Sequence, residues 1–210
     1  MARILVRGLL AAVVLATALP AAPAAQEISK QEREQVIQYL TKTRDQVVSE
    51  SASLTDAQWN FKAAPDRWSV GEVVEHLALA EAFIFDLQQK TMAGEPATAE
   101  QLAGAKGKDA MILEVIPDRT KKAQAPEPLQ PGTRLGSREQ VLAAFTERRA
   151  KTLEYASQTK DDLRSRVASS PLGPIDGYQW LLFMAAHADR HLAQLREVKA
   201  HAQFPTAERQ

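Results

Sequence analysis

Residues 181–198 read LLFMAAHADRHLAQLREV, in which Leu181, Met184, His187, His191, Leu195 and Val198 recur at steps of three and four. That spacing is one stripe of an α-helix. Two of the six stripe positions, His187 and His191, hold histidine where the pattern calls for leucine. A buried imidazole costs free energy unless its nitrogens find partners, and one metal ion can partner several rings together. A second stripe, Val73, His76, Leu77, Ala80, Ile84 and Leu87, carries another histidine in the same way. The remaining histidine, His201, lies beyond both stripes near the end of the last helix and reads as a solvated surface residue.

Three more helices follow from the same periodicity, and all four open on a small polar residue three positions before Glu or Gln. This is the spacing of a capping box. Helix one opens at Ser29 with Glu32 and carries Val36, Ile37, Leu40, Val47 and Val48. Helix two opens at Ser69 with Glu72 and runs to about Lys90. Helix three opens at Ser137 with Gln140 and carries Val141, Leu142, Phe145, Leu153 and Ala156. Helix four opens at Asp176 with Gln179 and extends to about Ala200. Alternating β-branched strand patterns are missing, so the fold class reads as all-α, a four-helix bundle.

Between helices one and two, Thr55 and Gln58 form a short capping pair before Pro65, which predicts a brief helical turn and a tight corner. Trp59, Phe61 and Trp68 are expected to plug that end of the bundle. The link 91–136 is different. Pro96, Pro117, Pro126, Pro128 and Pro131 exclude a continuous helix, although a short one is expected around Lys108 to Ile116. So long a connection suits a crossover along the bundle, serving equally as a lid over a site or as a structural strap.

The first 25 residues read as a cleavable signal peptide: Arg3 and Arg7, an apolar run from Leu9 to Leu19, then small residues ending Ala22-Pro23-Ala24-Ala25. Residues 26–205 are then expected to form one domain in a periplasmic or secreted protein. Loss of the two arginines leaves a net charge of about −2, which argues against nucleic acid or an anionic membrane as partner. The chain has no cysteine, so any metal must be held by nitrogen and oxygen.

His76 lies roughly 10 Å into helix two, and His191 about 15 Å from the far end of helix four, at 1.5 Å per residue. If the two helices run antiparallel, these heights nearly coincide. His76, His187 and His191 could then ligate one divalent ion, leaving a position open as in catalytic zinc sites.

Two segments carry a resemblance to a known family: Trp68-Ser69-Val70-Gly71-Glu72-Val73-Val74-Glu75-His76-Leu77, and His187-Ala188-Asp189-Arg190-His191-Leu192-Ala193-Gln194. With them, the chain from about Gln31 to Ala200 resembles the DinB/YfiT-like superfamily of metalloenzymes. The resemblance implies an up-down-down-up bundle with a long link between helices two and three. It also implies a divalent metal, zinc or nickel, held at the positions of His76, His187 and His191. Members with known activity are metal-dependent hydrolases or enzymes using low-molecular-weight thiols. Those thiols are cytoplasmic, so the export signal favours hydrolysis or a non-catalytic role here.

Other polar residues receive plainer readings. Glu72 is the cap partner of Ser69, Glu75 is expected to face solvent or, as the lesser alternative, to support a metal ligand from behind, and Asp189 points away from His187. Arg148, Arg149 and Tyr155 could orient an anionic substrate but read first as surface ion pairs and a half-buried ring. Glu81 and Asp86 lie off the buried stripe. The leading expectation is an exported metal-dependent hydrolase that uses metal-bound water on a small-molecule substrate. The competing one is a non-catalytic periplasmic bundle that binds a metal or a small molecule. A third is an interaction protein keeping the histidines as a polar core network. A homodimer is left open, since no large apolar stripe requires one.

Overall fold

The computed structural model describes residues 27–206. The leader segment 1–25 therefore lies outside the described residues. Four long helices form the body: α1 (Lys30–Ser51), α3 (Val70–Ala93), α6 (Arg138–Gln158) and α7 (Gly177–Lys199). Each starts on a complete capping box, with Ser29, Ser69, Ser137 and Asp176 as N-caps and Glu32, Glu72, Gln140 and Gln179 reaching back. Reciprocal caps satisfy orphan N–H groups at each helix start, which is why these boundaries fall where the spacing places them.

Cross-helix pairs establish the course of the chain. Along α1 and α7, Tyr178 donates to the Glu32 carbonyl, Tyr39 to Asp189, and Arg196 to Glu50, so these helices are parallel. Along α3 and α6, Glu81 pairs with Arg149 and Gln88 with Tyr155, so these are parallel too. Leu40 opposite Arg149 and Arg33 opposite Ala156 make α1 antiparallel to α6. The course is up-down-down-up.

Two consecutive helices that run the same way need a connection as long as the bundle. The segment from Gly94 to Ser137 supplies it, with α4 (Ala99–Ala105), α5 (Lys108–Val115) and a 3₁₀ turn at Glu127–Leu129. The short α2 (Asp56–Asn60) turns the corner before α3, and Trp59 packs there against Gly71. A Cβ on Gly71 would lie 2.3 Å from Trp59 Nε1, so the close approach requires glycine.

One element departs from a purely helical reading. Val167–Ser170 (β1) and Gly173–Asp176 (β2) pair antiparallel, with Val167 opposite Asp176 and Ser170 opposite Gly173. Gly173 closes the hairpin at φ 80°, a conformation glycine adopts without strain. The hairpin leads directly into the Asp176 cap of α7. Pro174 and two serines broke the alternation that would have marked strands.

The core falls into two clusters along the bundle. Val36, Leu40, Ile84, Ile175, Leu181 and Met184 fill one end, while Val47, Val73, Val74, Phe145, Leu192 and Leu195 fill the other. The three stripe histidines sit at the junction of α3 and α7.

Candidate metal centre

His76 lies two turns into α3, and His187 and His191 lie one turn apart on α7. Because those helices run antiparallel, the three rings meet. One nitrogen from each lies within 4.8 Å of the others. Ring centroids are 4.5 Å apart for His76–His191 and His187–His191, and 5.3 Å for His76–His187. His76 and His191 are buried and His187 is half-buried.

Hydrogen bonds select the free nitrogen on two of the rings. His76 Nδ1 lies 2.7 Å from the Leu129 carbonyl oxygen, which can only accept, so Nδ1 carries the proton and Nε2 keeps its lone pair. His191 Nδ1 donates likewise to Gln194 Oε1 at 2.8 Å. Gln194 Oε1 also accepts from Arg119 Nη1 at 3.3 Å, which ties the ring to the link.

Burial pushes all three imidazoles below their ordinary pKa. For His76, desolvation outweighs the opposing hydrogen bond to Leu129. For His187, desolvation and then the nearby His76, Arg190 and Arg149 lower it to about 3. His191 is held well below the usual range by desolvation and by the other two rings. All three are therefore neutral near pH 7, the form in which histidine binds metals.

The walls are aromatic. Trp68 stands 4.9 Å from the His76 ring and 6.2 Å from His191, and Phe183 lies parallel to His187 at 6.2 Å. Trp68 packs with Phe61 against the apolar cluster that holds Trp59, as expected, and also forms one side of the histidine group. Among the described residues, the group holds these three histidines and no fourth His, Cys, Asp or Glu. Three neutral imidazoles are a donor set suited to a divalent metal ion.

Several polar residues sit elsewhere than their sequence pattern suggests. Glu75 is buried rather than solvent-facing, and its carboxylate accepts the backbone N–H groups of Gly132, Thr133, Arg134 and Leu135. Arg149 is not on the surface: it is fully buried and bidentate to the equally buried Glu81. Arg148 donates to the Ala78 carbonyl, and Tyr155 lies towards the far end of α3 on Gln88 and Asp161. Neither contacts the histidines. Asp189 turns to Tyr39 on α1, Glu72 caps Ser69, and Asp86 is exposed, all as the helical faces require. His201 is half-buried against Phe61 at 5.5 Å instead of free in solvent. Gln194 escaped the sequence reading, though its place three residues after His191 puts it on the same helical face.

Residues 39–195 match the DinB superfamily over the span that holds all three histidines. The chain belongs to the DinB superfamily. It is 28% identical over 159 residues to the uncharacterized protein YuaE of Bacillus subtilis (strain 168), covering 72% of this chain and 89% of that one. Its fold is similar to that of YfiT from Bacillus subtilis, described as a probable metal-dependent hydrolase with an unusual four-helix bundle topology. That likeness has a TM-score of 0.55 at 18% identity and covers 83% of this chain and 89% of YfiT.

Proposed function

We propose that this DinB-superfamily chain is an exported, metal-dependent hydrolase whose divalent ion, zinc or nickel, is held by His76, His187 and His191. The observation that carries the proposal is the meeting of three neutral imidazoles, two with Nδ1 already engaged and the third, His187, half-buried. The description of YfiT as a probable metal-dependent hydrolase supports it.

An ion bound there supplies Lewis acidity and lowers the pKa of water towards about 7. The chain's own residues do the rest. Leu129 and Gln194 fix the tautomer and orientation of His76 and His191, Trp68 covers the flank of those two rings, and Phe183 covers that of His187. The half-buried His187 marks the side from which a small-molecule substrate approaches. Export rests on the composition of residues 1–25, and a mature chain starting near residue 26 in the periplasm or medium is its direct test.

The aromatic walls, with no carboxylate grouped with the imidazoles among the described residues, favour one competing reading: a non-catalytic metal-binding bundle. The test separates the two. Untagged protein purified without chelator should contain about one divalent ion per chain by elemental analysis, as a three-nitrogen site predicts. Zinc at 100 times its dissociation constant should stabilise the stripped protein by about 2.7 kcal/mol. That corresponds to roughly 5–11 °C in melting temperature at this size. Full metal content in the His76→Ala/His187→Ala/His191→Ala variant rejects the centre. Hydrolysis of a panel of esters, amides and phosphoesters by the loaded wild type, absent in that variant, establishes the enzyme. No turnover across the panel leaves the binding role.

A further inference from the structure

The link between α3 and α6 touches the histidine cluster at two points and is fastened beside each. At one, the Leu129 carbonyl accepts from His76 Nδ1 at 2.7 Å. At the other, Arg119 reaches Gln194 Oε1, the acceptor for His191 Nδ1. Arg119 is itself held by two 2.7 Å contacts to Glu197, and Arg190 grips the carbonyls of Asp118 and Lys121. A backbone carbonyl is only as well placed as the chain that carries it. Residues 130 and 132–134 are exposed, so packing does not immobilise them.

Glu75 supplies the missing anchor. Its Oε2 accepts from Gly132 at 2.9 Å and Thr133 at 3.0 Å, and its Oε1 from Arg134 at 2.6 Å and Leu135 at 3.2 Å. Four successive backbone N–H groups wrapped on one carboxylate form an anion nest, here filled by the protein's own side chain. Thr133 takes φ 60° to make it, a left-handed conformation that a non-glycine residue adopts at a cost. Glu75 precedes His76 in the same turn of α3. One residue thus clamps the strap and its neighbour reads the strap's carbonyl.

We propose that residues 119–135 are an orienting strap for the metal centre, and that Glu75 is its positioning residue, acting on His76 through Leu129. The proposal rests on the metal-centre reading and goes beyond it by giving the link a role. Coupling of this kind is reciprocal: if a docked strap strengthens metal binding, the metal must dock the strap by the same factor.

The test uses stripped full-length protein and zinc chloride as the probe. Glu75→Gln keeps the shape but presents an NH2 group to two of the four N–H donors, so it opens half the nest. Its zinc affinity, measured by competition with a chromophoric chelator, should fall about 3- to 10-fold, less than the roughly 10- to 100-fold loss on removing a ligand's direct hydrogen-bond partner, because Glu75 acts one step further out. Leu163→Ala, a cavity in the fully buried core beside Gly177 at the far end of α7, is the control for general loosening and should leave the affinity unchanged. On the wild type, zinc should slow hydrogen exchange at the amides of residues 132–135, and His76→Ala should abolish that protection.

An affinity for Glu75→Gln within twofold of wild type overturns the proposal. So does an equal loss in Leu163→Ala, or unchanged wild-type exchange at residues 132–135 on adding zinc. If Glu75→Gln does not fold, the exchange measurement on wild type decides alone. Wild type that binds zinc no better than the triple histidine variant sinks the metal centre itself, an outcome distinct from the strap failing on an intact centre.

Discussion

Arg149 on α6 and Glu81 on α3, five residues along from His76, form an ion pair with no access to solvent on the arginine and almost none on the glutamate. Its energetics can be worked from the contacts. Arg149 Nε and Nη2 donate to the two Glu81 oxygens at 2.7 Å each, and Nη1 donates to the Leu40 carbonyl at 3.0 Å and Thr43 Oγ1 at 2.9 Å. Thr152 adds a bond to Glu81 Oε1 at 2.9 Å. Arg149→Met would leave Glu81 with one hydroxyl donor in a dry site. Glu81→Leu would leave a guanidinium with only two neutral acceptors. Breaking a buried pair from one side costs about 3–5 kcal/mol, because a charge stays behind without its partner.

The double variant is different. Thr43 still donates to the Tyr39 and Leu40 carbonyls, and Thr152 to the Arg148 carbonyl, so no hydroxyl is orphaned. Two apolar side chains of similar length then fill the space, and such replacements of buried pairs are often neutral. We expect each single variant to lose about 3–5 kcal/mol and the double to lose less than either. Urea unfolding of metal-stripped protein, read by circular dichroism, measures all three against wild type. In melting temperature the single losses amount to roughly 6–20 °C for a chain of this size. Singles costing under about 1 kcal/mol, or a double equal to the sum of the singles, would refute the argument that this pair is one buried unit.

Two further outcomes follow from the packing and charge elsewhere. Arg164 gathers Glu32, Asp109 and Asp176 at the base of the bundle. Burial pushes Glu32 and Asp109 upward, but hydrogen bonds led by Arg164 outweigh it and hold both below the ordinary carboxylate range. Depressed carboxylates contribute stability above about pH 4.5 that is lost as pH falls through their folded values. Asp176 is raised by burial and contributes with the opposite sign. The melting-temperature gap between wild type and Arg164→Gln should therefore be largest near about pH 7 and shrink towards about pH 3; a gap that widens on acidification would contradict this. Gly71→Ala would press a Cβ to 2.3 Å from the Trp59 ring, and should cost about 1–3 kcal/mol with altered tryptophan fluorescence. Wild-type stability in that variant would mean the corner is looser than its contacts show.

Helix starts were legible because a capping box is a local event, complete within four residues. The pairs at Ser29, Thr55, Ser69, Ser137 and Asp176 are all formed, and so is an unread one at Thr98 and Gln101 opening α4. The meeting of His76 with His187 and His191 was legible for a related reason: helical rise and direction fix heights without knowledge of packing. Glu75 was hidden because its partners lie 57 to 60 residues away, on a link with no periodicity of its own. Glu81 and Arg149 were misplaced by a different assumption, that a charged position off the main stripe faces solvent. Helix α3 packs on α6, α7 and the link at once, so its buried surface is far wider than one stripe.

The course of the chain and the chemistry of the site are connected through that link. Because α3 and α6 run the same way, the chain leaving Ala93 must climb the full bundle before Arg138 can begin. The route it takes follows α7, with Asp109 at Gln179 and Arg119 at Gln194, then crosses to α3 at Leu129. These are the two helices that carry the histidines, and the crossing lies at their height. An up-down-up-down bundle of the same four helices would join α3 to α6 by a short hairpin and bring no carbonyl to His76. The same topological demand that makes the link long therefore delivers the groups that hold the rings. A shortened link would have to cost metal affinity even if the four helices still packed.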